Sequence, residues 1–203
     1  MTDAAAIVLA GGASRRMGRD KASIELDGRP LLAHVIELLA RRCAPILVSA
    51  RPGQEVPEIA GIELWRVDDP VPDAGPLVGL HAALERLAAG GVERAYLGSC
   101  DAAGLSERHV ELMLGRLRGS AIAAVPVEPD GRRHPLAAAV DVAGLLARAS
   151  AELTAGRQRL QALFVGPGIV EVPVAELPDP EVIAPCNTPQ EWAALLKRLA
   201  ARS

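Results

Sequence analysis

Aromatic residues are nearly missing: two Trp, one Tyr and one Phe in 203 residues. That argues against base recognition by stacking on aromatic platforms. A bound base would lie between aliphatic and backbone surfaces and be read by hydrogen bonds. Cysteine is also scarce. Cys43, Cys100 and Cys186 are odd in number, far apart and never in C-x-x-C spacing. Neither a zinc site nor a disulfide scaffold is indicated, and reduced thiols in a cytoplasm are the simplest account. There is no excess of positive charge; the formal net charge of -3 leaves no general nucleic-acid footprint. The N-terminal apolar run is too short to span a membrane and lacks a basic leader, so neither a membrane anchor nor a signal peptide is expected. No repeat, linker or low-complexity segment appears. The length suits one α/β domain over 1–203.

What the chain does have is concentrated at its start. Ala4 to Ala10 reads as a buried parallel strand, followed by Gly11-Gly12 and a loop carrying Arg15, Arg16, Arg19 and Lys21. Four cations within seven residues, beside paired glycines, repel one another unless an anion sits among them. Glycines there let backbone N–H groups approach a phosphate that a Cβ would push away. Two familiar phosphate loops are excluded by counting. A Walker A loop needs Gly, four residues, then Gly-Lys-Ser/Thr, but here five residues separate Gly12 from Gly18 and no Ser or Thr follows Lys21. The dinucleotide fingerprint G-x-G-x-x-G is absent as well.

Further along, Ile24 to Gly28 reads as a short extended piece with a turn at Asp27-Gly28. Pro30 is predicted to open a helix at its first position, with an apolar face from Leu31 to Leu39 and an end near Arg42. Pro45 to Ala50 and Ile62 to Val67 read as strands, the second followed by Asp68-Asp69-Pro70. Gly75-Pro76-Leu77-Val78-Gly79 leads into a helix running from about Pro76 to Ala89. Arg94 to Asp101 reads as a strand ending in an aspartate, at the sheet edge where ligands bind. A helix capped by Ser106, strands over Ala121 to Val127 and up to Val140, a helix containing Leu145 and Leu146, and a strand over Ile169 to Val174 complete the α/β pattern. Thr188, Pro189 and Glu191 form the start of a last helix, as N-cap, first position and capping-box acid.

The N-terminal string L-A-G-G-x-S-x-R-M-G-x-D-K resembles the signature of the MobA-like nucleotidyltransferases, and most closely of the molybdenum cofactor guanylyltransferases. Later segments resemble the family's in the same order: G-R-P-L, G-P-L-x-G, C-D at Cys100-Asp101, Asp130-Gly131-Arg132-Arg133-His134-Pro135 beside the family's D-G-x-x-x-H-P, Ala155-Gly156-Arg157-Gln158-Arg159-Leu160 beside its A-G-x-R-x-hydrophobic, and N-T-P from Asn187. The resemblance implies a Rossmann-like three-layer α/β nucleotidyltransferase fold with a mostly parallel central sheet. It implies transfer of GMP from GTP to the phosphate of molybdenum-bound molybdopterin, with release of pyrophosphate, by a nucleotide half over about 1–101 and an acceptor half over about 102–203.

By that resemblance Leu9, Ala10 and Gly11 contact the nucleotide, with Gly12, Gly75 and the position of Ser49, where the family often carries Asn. Arg15 and Lys21 hold the triphosphate. Asp69 contributes to nucleotide binding and suits a guanine reader, since a carboxylate accepts from N1–H and the 2-amino group; Asp68 is the adjacent alternative. Asp101 is the Mg²⁺ ligand and, with Arg15 and Lys21, the catalytic set. His134, Arg157 and Asn187 fall on the acceptor side, where a turn histidine and a solvated arginine are the bland alternatives. The chain departs from the family after Asp101, where Ala102-Ala103-Gly104 replaces Thr or Met and then Pro, which predicts a looser loop. Molybdoenzymes or cofactor-insertion proteins are the further partners implied. A cytidylyl or sugar-phosphate transferase, or a nucleotide-binding module without turnover, remain as alternatives.

Overall fold

A computed structural model of the chain describes residues 4–11, 25–26, 28–69, 75–184 and 189–200. Strand β1 (Ala5–Leu9) is followed by a two-stranded ribbon, β2 (Glu25–Leu26) and β3 (Arg29–Pro30), turning at Gly28 with φ 75°. Helix α1 (Leu31–Ala40) leads to β4 (Ile46–Ala50) and β5 (Leu64–Asp68). Then come α2 (Pro76–Ala89), β6 (Arg94–Ser99), α3 (Glu107–Arg116), β7 (Ala123–Val127), β8 (Ala137–Asp141), α4 (Val142–Thr154), β9 (Ile169–Pro173) and α5 (Pro189–Ala200).

Seven strands form one sheet in the order β5-β4-β1-β6-β8-β7-β9. All run parallel except β8, which is antiparallel to both β6 and β7. The predicted three-layer, mostly parallel architecture is therefore what the chain adopts. Successive residues of a strand face opposite sides of a sheet, and the two cores follow that alternation. Ala6, Val8, Ile46, Val48 and Tyr96 pack on one face with α1 and α3. Ala5, Ile7, Leu47, Ala95 and Leu97 pack on the other with α2 and α4. Covering both faces is why these strands are continuous apolar runs. In α2, Leu77, Leu80, Leu84 and Leu87 are all fully buried, each contributing about 1.5–3 kcal/mol of transfer free energy.

Two local expectations need correcting. Pro30 does not open α1; it ends β3 with φ -53° and ψ 132°, held extended by pairing with Glu25, and serves as the N-cap. The third strand begins and ends later than predicted, at Leu64 and Asp68, because its parallel register against Ile46 to Ala50 sets its length.

Candidate active site

The chain crosses the sheet in one direction from β1 to β4 and β5, then returns over β1 through α2 to β6. The order reverses between β1 and β6, and in open α/β sheets ligands bind outside the carboxyl ends of the strands at that reversal. Leu9 stands at the point itself, the Cα partner of Ser49 on one side and Ser99 on the other. Ala10 and Gly11 follow it, with the Ala10 N–H donating to the Ser49 carbonyl at 2.8 Å.

Asp69 sits immediately past β5. Its backbone N–H donates to the Ala50 carbonyl at 2.8 Å, and its Oδ1 accepts the Ser49 hydroxyl at 2.6 Å. Two glycines make room for its carboxylate. A Cβ on Gly11 would fall 2.1 Å from Asp69 Oδ2; one on Gly79 would fall 2.4 Å from Oδ1 and 2.5 Å from the Ser49 oxygen. Asp68 points elsewhere, paired with Arg66 at 2.7 Å on the exposed side of the edge strand. The sequence left Asp68 and Asp69 as alternatives; only Asp69 faces β1 and α2.

Arg66 also donates to the backbone carbonyls of Gln54, at 2.6 Å, and Arg51, at 3.1 Å. The Gln54 side chain returns to the site, donating to the Ala10 carbonyl at 3.1 Å. These contacts fix the loop after β4 as the wall of a cavity of about 1000 Å³ lined by Pro30, Arg51, Gln54, Val56 and Arg66. Neither Gln54 nor Arg66 was singled out by sequence, because their partners are backbone groups that no motif records.

On the other side of Leu9, Asp101 follows β6. The Ser99 hydroxyl donates to Asp101 Oδ1. The loop beyond is not loose. Ala102, Ala103 and Leu105 donate their backbone N–H groups to Ser99, Asp101 and Ala102 carbonyls. Ala102 and Leu105 are buried, and Gly104 lies so close to the Glu181 backbone that a Cβ there would come within 2.3 Å of its carbonyl carbon and oxygen. Close packing replaces the proline that the family resemblance led us to expect.

Beside Asp101 opens a second cavity, of about 350 Å³, lined by Ser99, Asp101, Arg133, His134, Leu136, Leu160 and Gln161 among others. His134 is half-buried there, its Nε2 2.9 Å from Glu128 Oε1. Gln161 donates to the Arg133 carbonyl at 3.2 Å. Arg157 stands apart from this cavity. It is 60% exposed and forms a two-pronged pair with Glu152 at 2.7 and 2.9 Å. That hydrogen bonding holds the Glu152 carboxyl below its ordinary range. Arg133 and Gln161, with Ser99 and Asp101, line the cavity beside His134; Arg157 does not.

Gly75 precedes α2 with φ 90°, a conformation few residues but glycine adopt, and space is open around it. Gly12, Arg15, Lys21 and Asn187 lie outside the described residues, as does the predicted cap at Thr188.

A mostly parallel sheet with this strand order, carrying a carboxylate on each side of its reversal point, marks a doubly wound α/β protein with a ligand site at its strand ends. The profile of the MobA-like NTP transferase domain matches residues 6–166, and the chain belongs to that family. A protein named "Probable molybdenum cofactor guanylyltransferase" from Mycobacterium tuberculosis H37Rv is 36% identical over 174 residues, spanning 85% of this chain and 84% of that one. Among solved structures, molybdopterin-guanine dinucleotide biosynthesis protein A from Archaeoglobus fulgidus superposes with a TM-score of 0.72 at 19% identity, over 97% and 98% of the two chains. A 2-C-methyl-D-erythritol 4-phosphate cytidylyltransferase from Thermus thermophilus gives 0.67 at 20% identity, over 98% and 100%. The fold is thus shared by enzymes whose names carry different nucleotides, and the base must be argued from side chains.

Proposed function

We propose that this chain transfers GMP from GTP to the phosphate of molybdenum-bound molybdopterin, forming molybdopterin guanine dinucleotide. The observation that carries the reading is the placement of Asp69 and Asp101 on either side of the end of β1. The name borne by relatives at 36% identity supports it. An oxygen of the acceptor phosphate attacks the α-phosphorus of GTP, the bond to the bridging oxygen breaks, and pyrophosphate leaves with that electron pair. The attacking oxygen is already anionic, so no strong general base is required. Catalysis is alignment plus charge neutralisation.

Asp69 accepts hydrogen bonds from the guanine N1–H and 2-amino groups, while Leu9, Ala10 and Gly11 line the nucleotide's approach with Gly12 and Gly75. Arg15 and Lys21 supply positive charge to the triphosphate. The acceptor occupies the cavity lined by Asp101 and His134, and Asn187 is assigned to it by the resemblance alone.

Asp101 fits a magnesium ion: it offers a hard carboxylate oxygen at the sheet edge, oriented by Ser99. Among the described residues no group of three or more His, Cys, Asp or Glu side chains forms a metal cage. An ion held by Asp101 would complete its shell with phosphate oxygens and water, as Mg²⁺ commonly does. It would supply neutralisation of charge developing on the phosphate oxygens. We place the reaction in the cytoplasm, with the product passing to molybdoenzymes or cofactor-insertion proteins. No helix among the described residues is long and apolar enough to cross a membrane.

The test is pyrophosphate release by purified protein with Mg²⁺ and molybdenum-loaded molybdopterin, comparing GTP with CTP. Release from GTP alone is expected. Release from CTP alone would move the chain to a cytidylyl reaction. GTP binding with no release from either nucleotide would leave a binding module.

A further inference from the structure

Ser49 occupies a position that the family resemblance assigns to the nucleotide, yet its side chain is not available to one. The residue is 1% exposed, lies within β4 under α2, and gives its one hydroxyl proton to Asp69 Oδ1 at 2.6 Å. A serine hydroxyl has a single proton to donate. That proton fixes which way the carboxylate is turned. The same carboxylate is confined between two backbones. Oδ2 lies against Gly11, at the end of β1, and Oδ1 against Gly79, in the first turns of α2. Neither glycine has a positive φ among those recorded for the chain, so the reason for glycine at both is steric. A methyl group on either would overlap the carboxylate.

We infer that Ser49 is a positioning residue for Asp69 and Gly79 its steric counterpart. In this unit Ser49 sets base selectivity through the carboxylate without touching the nucleotide. The inference rests on the proposed reading that Asp69 recognises guanine. Recognition of adjacent N–H donors depends on the angle of the carboxylate plane as well as its charge. A carboxylate released from Ser49 keeps the charge and loses the angle. The loss therefore falls on discrimination between guanine and a base lacking one of the donors. Inosine triphosphate lacks only the 2-amino group and is the matched probe.

The experiment is a double-mutant cycle on wild type, Ser49→Ala, Asp69→Ala and the double variant, with GTP and inosine triphosphate. Dissociation constants are measured without acceptor and kcat with it. Ser49→Ala should weaken GTP binding about tenfold, the scale of one hydrogen bond to a charged group, and shrink the GTP-to-inosine preference while kcat stays level. In the Asp69→Ala background the same substitution should change nothing further, because a residue acting only through Asp69 has no second route. Gly79→Ala should reproduce the loss of preference by displacing the carboxylate.

Losses that multiply in the double variant would overturn the inference and return Ser49 to direct contact. A Ser49→Ala protein with a lower melting temperature but unaltered preference would make the unit purely structural. If the wild type itself does not distinguish the two nucleotides, the guanine reading and this unit both fall. If it does distinguish them and the losses multiply, only the role of Ser49 falls.

Discussion

Ser49 and Ser99 flank Leu9 across the sheet, each its Cα partner, and each passes its hydroxyl proton to an aspartate just beyond a strand end. Residues paired in register on parallel strands face the same side, here the side of α2. Two carboxylates that are 32 positions apart in the chain are thus referred to a single strand end. Asp69 belongs to the β5 side and Asp101 to the β6 side, with the reversal point of the sheet between them. This separation lets one carboxylate be altered without dislodging the other.

Asp101→Ala should therefore abolish turnover far more than nucleotide binding. Loss of an electrostatic stabiliser of the transition state lowers kcat by about 10²–10³. The GTP dissociation constant measured without Mg²⁺ should stay near the wild-type value, and so should the melting temperature. Pyrophosphate release and calorimetry together check this. Full activity in Asp101→Ala would remove Asp101 from the metal role.

Gly11→Ala should act on the nucleotide side. The added methyl would lie 2.1 Å from Asp69 Oδ2 and 3.1 Å from its carboxyl carbon. One of the two must move, and the aspartate side chain moves more easily than the end of β1. Overpacking of this kind costs about 1–3 kcal/mol when the surroundings resist. The expected outcome is weaker GTP binding with only a small fall in melting temperature. An unchanged dissociation constant would mean that the carboxylate's position against Gly11 does not serve the nucleotide.

How far the sequence reached depended on whether the deciding partner was local. Helix α2 is found between the residues predicted for it, because Pro76 and the leucine spacing state its start and its face within one segment. β1 and β6 were equally plain as continuous apolar runs. Asp68 and Asp69 could not be separated, since a one-residue difference in strand end changes which face each side chain meets. Gly79 was visible within G-P-L-x-G, but the reason for glycine there is a carboxylate ten residues away on another element. Arg157 drew attention through its motif, while its structural partner Glu152 lies on the preceding helix turn. Arg133, Gln161 and Ser99 gave no comparable signal. The cationic loop, the strongest feature of the sequence, lies largely among residues the structure does not describe, so its roles rest on the resemblance.

The stability of the protein should decline below about pH 6.5 through His109. This side chain is fully buried on α3, packed edge-on against Tyr96 with ring centroids 5.9 Å apart. Its Nε2 is 3.0 Å from the Ala137 carbonyl, which can only accept, so Nε2 carries the proton and Nδ1 is left buried without a hydrogen-bond partner among the described residues. Burial holds its pKa below the ordinary 6.5, outweighing the opposing effects of the Ala137 bond and Asp179. As pH falls through 6.5 the unfolded chain takes up a proton that the folded chain does not, so unfolding gains. The decline ends once the folded histidine also titrates. Urea unfolding at several pH values should show this dependence, and His109→Gln should flatten it. An identical pH profile in that variant would assign the acid sensitivity to other groups.

Gly104→Ala bears on whether the segment after Asp101 is a flexible replacement or a fixed part of the site. A Cβ at this position would meet the Glu181 carbonyl carbon and oxygen, both at 2.3 Å, and the Glu181 Cβ at 2.8 Å. Backbone atoms cannot swing aside as a side-chain end can, so the segment around Glu181 or the Asp101 loop must shift bodily. Val182, Ile183 and Ala184 follow Glu181 and line the cavity that holds Asp101 and His134. A shift of either partner would thus alter that cavity as well as the packing of Leu105 and Val182 in the core. The expected cost is about 1–3 kcal/mol of stability, with turnover falling more than GTP affinity because Asp69 lies on the other side of β1. Thermal unfolding with parallel GTP titration measures both. Wild-type stability and turnover in Gly104→Ala would show that the loop yields freely, restoring the looser segment that Ala102-Ala103-Gly104 suggests in sequence.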